Sequence, residues 1–101
     1  MTLASGISFP VERIAEICTR YRVRELAVFG SAARGNMRAD SDIDLLVEFL
    51  PEARIGLFKL EEMNQELEAL LGRKVDLALK PGLKPRVRPY VMKDRQVIYA
   101  A

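Results

Sequence analysis

The stretch from Val28 to Phe49, VFGSAARGNMRADSDIDLLVEF, decides how the chain is read. An apolar run ends at Phe29-Gly30-Ser31, and ten residues later Asp42 and Asp44 stand on either side of Ile43. In a strand, successive side chains alternate faces, so Asp42 and Asp44 point the same way while Ile43 turns into the core. Two carboxylates about 4 Å apart repel by roughly 4 kcal/mol at an effective dielectric of about 20. A divalent cation between them removes that cost. Mg²⁺ suits the position, because it takes one or two carboxylates together with substrate phosphates. The Gly30-Ser31 end supplies the matching phosphate partner. A strand running into a short helix presents free backbone N–H groups, and the helix dipole favours an anion there. The two ends together describe a metal–nucleotide site.

Outward from this stretch, the elements follow from periodicity. Arg24 to Phe29 reads as a strand whose Leu26-Ala27-Val28-Phe29 run suits burial on both faces. Ala32, Ala33 and Arg34 favour a helical turn, which Gly35 and Asn36 can close in left-handed geometry. Met37 to Ser41 leads into the strand Asp42–Phe49, which Pro51 stops; Ser41 reads as a turn residue. Upstream, Pro10 opens a helix with Val11, Ile14, Ala15, Cys18 and Tyr21 along one face. Downstream, a helix from about Ile55 or Gly56 to Leu71 buries Leu60, Met63, Leu67, Leu70 and Leu71, and Gly72 caps it. Lys74 to Leu79 is a third strand. Pro81, Gly82 and Pro85 mark a loop before a helix over Pro85–Lys93, which Pro89 should kink or shorten. Gln96 to Ala100 is the last strand. This order predicts an α/β (α+β) fold in one domain spanning residues 1–101, with helices packed on a mixed sheet of about four strands.

Composition narrows the chemistry. The chain has 101 residues and a single cysteine, Cys18, so an internal disulfide is excluded and a reducing cytoplasm is expected. There is no histidine. Zinc–histidine centres, serine–histidine nucleophiles and histidine acid–base catalysis are therefore excluded, and catalysis must rest on carboxylates and metal. No apolar run approaches the length of a membrane span, and the start lacks the pattern of a signal peptide. A net charge of +2 is too balanced to argue for direct nucleic-acid binding. Basic residues do gather between Lys80 and Arg95. They form either a solvated face or a surface for phosphates or an acidic partner.

Asp76 is the third carboxylate of interest. Val75, Leu77 and Leu79 around it are apolar, and a lone charge on a central strand is costly unless paired. Either it sits at an edge facing water or beside Arg73 or Lys74, or it joins Asp42 and Asp44 in a three-carboxylate metal site. Arg34 and Arg38 could steady β- and γ-phosphates or be solvated loop charges.

The pattern Gly30-Ser31, ten residues, Asp42-Ile43-Asp44 resembles the signature of the DNA polymerase β-like nucleotidyltransferase superfamily. The wider context GSAARG…SDIDLLVEF is similar to its minimal branch, the MNT proteins, often antitoxins of HEPN-domain toxins. Val75-Asp76-Leu77 matches the family's third acidic strand. The resemblance implies a polymerase β-like fold and two Mg²⁺ ions held by Asp42, Asp44 and Asp76. It implies ATP as donor, with Gly30, Ser31 and Arg34 at the nucleotide. It implies transfer of AMP to a hydroxyl, expected on a tyrosine of a HEPN-type toxin, with pyrophosphate leaving. The chain is short for an in-chain substrate domain, so a partner protein or second subunit would present the hydroxyl. Two other readings stand beside this one: a module that neutralises a toxin by covering it, and a nucleotidyltransferase of small molecules.

Overall fold

The computed structural model describes residues 8–35 and 41–101. Asn36, expected to help close the turn, and Arg38, a candidate phosphate ligand, lie outside the described residues. The chain runs α1 (Val11–Arg20), β1 (Val23–Phe29), α2 (Gly30–Arg34), β2 (Ile43–Phe49), α3 (Leu57–Leu71), β3 (Val75–Leu79), a 3₁₀ turn at Lys80–Gly82, α4 (Arg88–Asp94) and β4 (Gln96–Ala100). The expected order of elements is the observed one, with ends displaced by one or two residues and the start of α4 by three.

The four strands form one mixed sheet in the order β3-β2-β1-β4. β1 pairs antiparallel with both β2 and β4, while β2 and β3 are parallel because α3 carries the chain back between them. On β2, Ile43, Leu45 and Val47 turn to one face and join the core with Leu26 and Val28 of β1. α1 and α3 cover that face. α1 contributes Ile14, Ile17 and Cys18, and α3 contributes Met63 and Leu67. Alternation then sends Asp44, Leu46 and Glu48 to the opposite face, with Asp76 level with Asp44 on β3.

Four details differ from the sequence reading. The buried stripe of α1 starts at Ile14 and includes Ile17, while Val11 in the first turn remains 40% exposed. In α3, Met63 and Leu67 are fully buried, and Leu70 and Leu71 pack only partly. Pro89 does not kink a helix: α4 begins at Arg88, so the proline sits in its first turn, where its missing N–H has no partner to lose. Finally, β3 is an edge strand and Asp76 is exposed, so the burial cost of a central-strand charge does not apply to it.

Candidate active site

The site lies where β1 ends against the start of β2. In the antiparallel pairing Phe29 stands opposite Asp44, and in the parallel pairing Asp44 stands opposite Asp76. One level of the sheet therefore carries, in order, the β1–α2 junction, Asp44 and Asp76. Asp42 precedes β2 by one residue and is exposed. The first of these positions demands glycine twice over. Gly30 has φ +71°, and a Cβ placed on it would lie 2.3 Å from Asp44 Oδ2. The carboxylate thus rests against the bare α-carbon. α2 is a single short turn, closed by Gly35 at φ 83° with its N–H donating to Ser31 O at 3.0 Å. Ser31, half-buried, starts this turn directly after Gly30, and Ala32 and Ala33 anchor it in the core.

Asp44 is electrostatically unusual. Burial pushes its carboxyl above the ordinary value of 3.8, and the charges of Asp76 and then Asp42 push it further; Arg34 pulls the other way. The charges of Asp76 and Asp42 thus both reach Asp44. The other acids on this sheet face behave differently. Glu48 is paired with Lys80 Nζ at 3.3 Å, and Glu25 with Arg95 Nε at 3.2 Å. Among the described residues, no ion pair is made by Asp42, Asp44 or Asp76. The structural acids of the face each have their own cation, and among the described residues the three site acids do not.

Carboxylate oxygens are the donor set that a hard cation such as Mg²⁺ takes, and a cation would reverse the sign of the interactions that disfavour the Asp44 carboxylate. Among the described residues, no group of three Asp, Glu, Cys or His side chains is arranged around a common metal position as it stands. Asp42 and Asp76 are both exposed, so their side chains are free to rotate toward Asp44.

Arg34 ends α2 and pairs with Asp94 of α4, Nη1 to Oδ2 at 3.1 Å, while its charge reaches Asp44. Sequence reasoning named Arg34 but missed Asp94, sixty residues away, because nothing local links them. It also missed the support that Arg73 gives: Nη2 donates to Ser41 O at 2.9 Å, holding the backbone just before Asp42. Cys18 is fully buried and burial pushes its thiol up to about 12, in keeping with a core residue. Tyr21 donates its hydroxyl to Glu66, which also binds Arg20, a cluster that ties α1 to α3 on the face away from the site.

The same arrangement of chain is found in known proteins. Residues 11–98 match the model of the nucleotidyltransferase domain family. Protein adenylyltransferase MntA of Thermococcus cleftensis is 45% identical over 84 residues, covering 83% of this chain and 81% of that protein. A solved minimal nucleotidyltransferase is 38% identical with a TM-score of 0.73, over 85% of this chain and 86% of the other. An MNT antitoxin solved with the tri-AMPylated HEPN toxin of Shewanella oneidensis has a TM-score of 0.64 over 90% of this chain and 70% of that one; at 18% identity this likeness is one of fold. With residues 11–98 matched to the family model and relatives 45% and 38% identical over most of both chains, the chain belongs to the nucleotidyltransferase domain family, among its minimal members.

Proposed function

We propose that this chain moves AMP from ATP to a hydroxyl, expected on a tyrosine, of a HEPN-type toxin in the cytoplasm, and so acts as the antitoxin of the pair. The observation that carries the reading is the register that sets Asp44 between Gly30 and Asp76, with the charge of Asp42 also reaching Asp44 and, among the described residues, none of the three acids in an ion pair. Identity to an MntA protein adenylyltransferase supports the reaction class, and the shared fold of the MNT–HEPN complex supports the partner.

In this mechanism Asp42, Asp44 and Asp76 would hold the two Mg²⁺ ions, their carboxylate oxygens being the donors that a hard cation takes. When bound, the ions neutralise phosphate charge and lower the pKa of the incoming hydroxyl. The bare α-carbon of Gly30 lets the triphosphate approach the backbone, and the Ser31 hydroxyl donates to a phosphate oxygen. Arg34, at the end of the same turn, steadies the outer phosphates. The hydroxyl oxygen of the acceptor bonds to the α-phosphorus as the bond to pyrophosphate breaks. Asp76 accepts the proton, and pyrophosphate departs with the bond's electron pair.

The test is transfer of label from α-³²P-ATP, with Mg²⁺, to proteins of the source cells, with Asp44→Ala in parallel. A labelled band that requires Mg²⁺ and disappears with the variant supports the assignment and identifies the acceptor by mass. If no protein is labelled, the transferase reading fails. If a wild-type-labelled toxin is still neutralised by Asp44→Ala, the chain neutralises by covering.

A further inference from the structure

A groove of about 600 Å³ opens between the first half of α3 and β3, lined by Leu57, Phe58, Glu61 and Asn64 on one side and by Val75 to Leu77 on the other. Three features set it apart. Leu57 and Phe58 are adjacent large apolar residues in the first turn of α3, 83% and 88% exposed, where a solvated helix would carry polar residues. Asn64 Oδ1 is buried and meets no hydrogen-bond donor among the described residues. Asp76, the acid assigned above to the incoming hydroxyl, forms part of the wall.

The sheet order says which reactant lies here. At the level of the site, the chain places the Gly30-Ser31 turn on β1, Asp44 on β2 and Asp76 on β3, and the groove begins beyond Asp76 at the outer edge of the sheet. Displacement at phosphorus is in line, with the attacking and leaving oxygens on opposite sides. If the triphosphate is held at the β1 end, the attacking hydroxyl must come from the β3 end. The charged residues of the groove, Glu61 and Asp76, are both acidic.

We propose that this groove docks the acceptor: a segment of the partner protein that carries the reacting hydroxyl, with an apolar side chain seated on Leu57 and Phe58 and basic residues facing Glu61. The assignment rests on the transferase reading of the site. Leu57, Phe58 and Glu61 are thus determinants of which hydroxyl is modified, and they act on the acceptor without touching ATP.

The experiment uses the full chain and, as acceptor, the purified protein labelled by the wild type. Two variants are compared with wild type: the double variant Leu57→Ser with Phe58→Ser, and Glu61→Lys. Their positions are exposed, and unchanged circular dichroism and melting verify the fold. The expected result is a KM for the acceptor at least tenfold higher in the double variant and at least threefold higher in Glu61→Lys, with the KM for ATP unchanged in both. An unchanged acceptor KM overturns the proposal. A rise in the KM for ATP also overturns it, because the groove then holds the nucleotide. Conversion of a wild-type dimer to a monomer with the acceptor KM unaltered overturns it as well and makes the face a contact between copies. A lower acceptor KM in Glu61→Lys refutes the basic character assigned to the segment. Absence of transfer by the wild type would instead remove the transferase reading, and this assignment with it.

Discussion

Gly30→Ala tests the site more sharply than removal of any carboxylate, because its effect divides into two parts that the structure separates. The first part is backbone strain. Gly30 has φ +71°, and an L-residue in left-handed geometry costs about 1–2 kcal/mol. In a domain of this size each kcal/mol lowers the melting temperature by roughly 4–8 °C. The second part is collision. The added Cβ would lie 2.3 Å from Asp44 Oδ2 and 3.2 Å from Asp44 Cγ. Relief to ordinary van der Waals separation moves the carboxylate by about 1 Å, a misplacement that costs about 10²-fold in a positioned reaction. Gly72 provides the control. It has φ +67° and nothing within 4 Å of its would-be Cβ, so Gly72→Ala carries the strain without the collision. Both variants should melt lower by similar amounts, followed by circular dichroism. Only Gly30→Ala should lose transfer of labelled AMP, by about 10²-fold against Gly72→Ala. If the two variants transfer equally well, the contact between Gly30 and Asp44 does not position the carboxylate and the reasoning is wrong.

Further outcomes follow from the electrostatics. Because the folded state raises the pKa of Asp44 above its ordinary 3.8, the folded form binds the proton more readily, and this group's contribution to stability falls as pH rises above that value. Asp44→Asn should therefore melt higher than wild type at neutral pH while losing transfer, with the melting difference closing as pH is brought down to the ordinary value; a lower melting temperature at neutral pH would contradict the assignment. Mg²⁺ with a non-hydrolysable ATP analogue should raise the melting temperature of the wild type and leave Asp44→Ala unchanged, since only the folded site binds the pair. Arg34→Ala should raise the KM for ATP by about tenfold, as expected for loss of one phosphate contact. Its ion pair with Asp94 is largely exposed, so Asp94→Ala should change stability by no more than about 1 kcal/mol in denaturant titration. Cys18 should resist a thiol reagent in the folded protein and react once urea unfolds it, read by the absorbance of the released thiolate.

The fold was legible because its signals are local. Alternation in Ile43 to Val47, the stripe of Met63 and Leu67, and the breaks at Gly35 and Gly72 each depend on a few neighbouring residues. The site was legible for a related reason: the spacing of Gly30, Asp42 and Asp44 lies within one strand–turn–strand unit. Strand order was not legible. Asp76 reads equally as central or edge until the crossover through α3 is seen to place β3 outermost. The long-range pairs were hidden for the same reason, since Arg34–Asp94 and Arg73–Ser41 join residues with no common pattern. Pro89 was expected to kink or shorten its helix, and it shortens it: helix-breaking and helix-starting prolines look alike in sequence, and only the position of the first turn tells them apart.

The pairing of acids on the open sheet face explains why one surface can serve both stability and chemistry. Glu25 and Glu48 face each other across β1 and β2, like charges that would repel, and each is relieved by its own cation from the C-terminal part of the chain, Arg95 and Lys80. On the proposed reading the same remedy at Asp44 would cancel the function, since a fixed lysine would occupy the charge that a metal ion would meet. Among the described residues Asp44, opposite Asp76, has no ion pair, and burial first and then the charges of Asp76 and Asp42 raise its pKa. Arg34, whose charge lowers the pKa of Asp44, makes its ion pair with Asp94 instead. On the proposed reading, a site built this way would be least favourable when empty and would gain most from the arrival of Mg²⁺ with a triphosphate, which would turn the repulsion at Asp44 into selectivity for that pair.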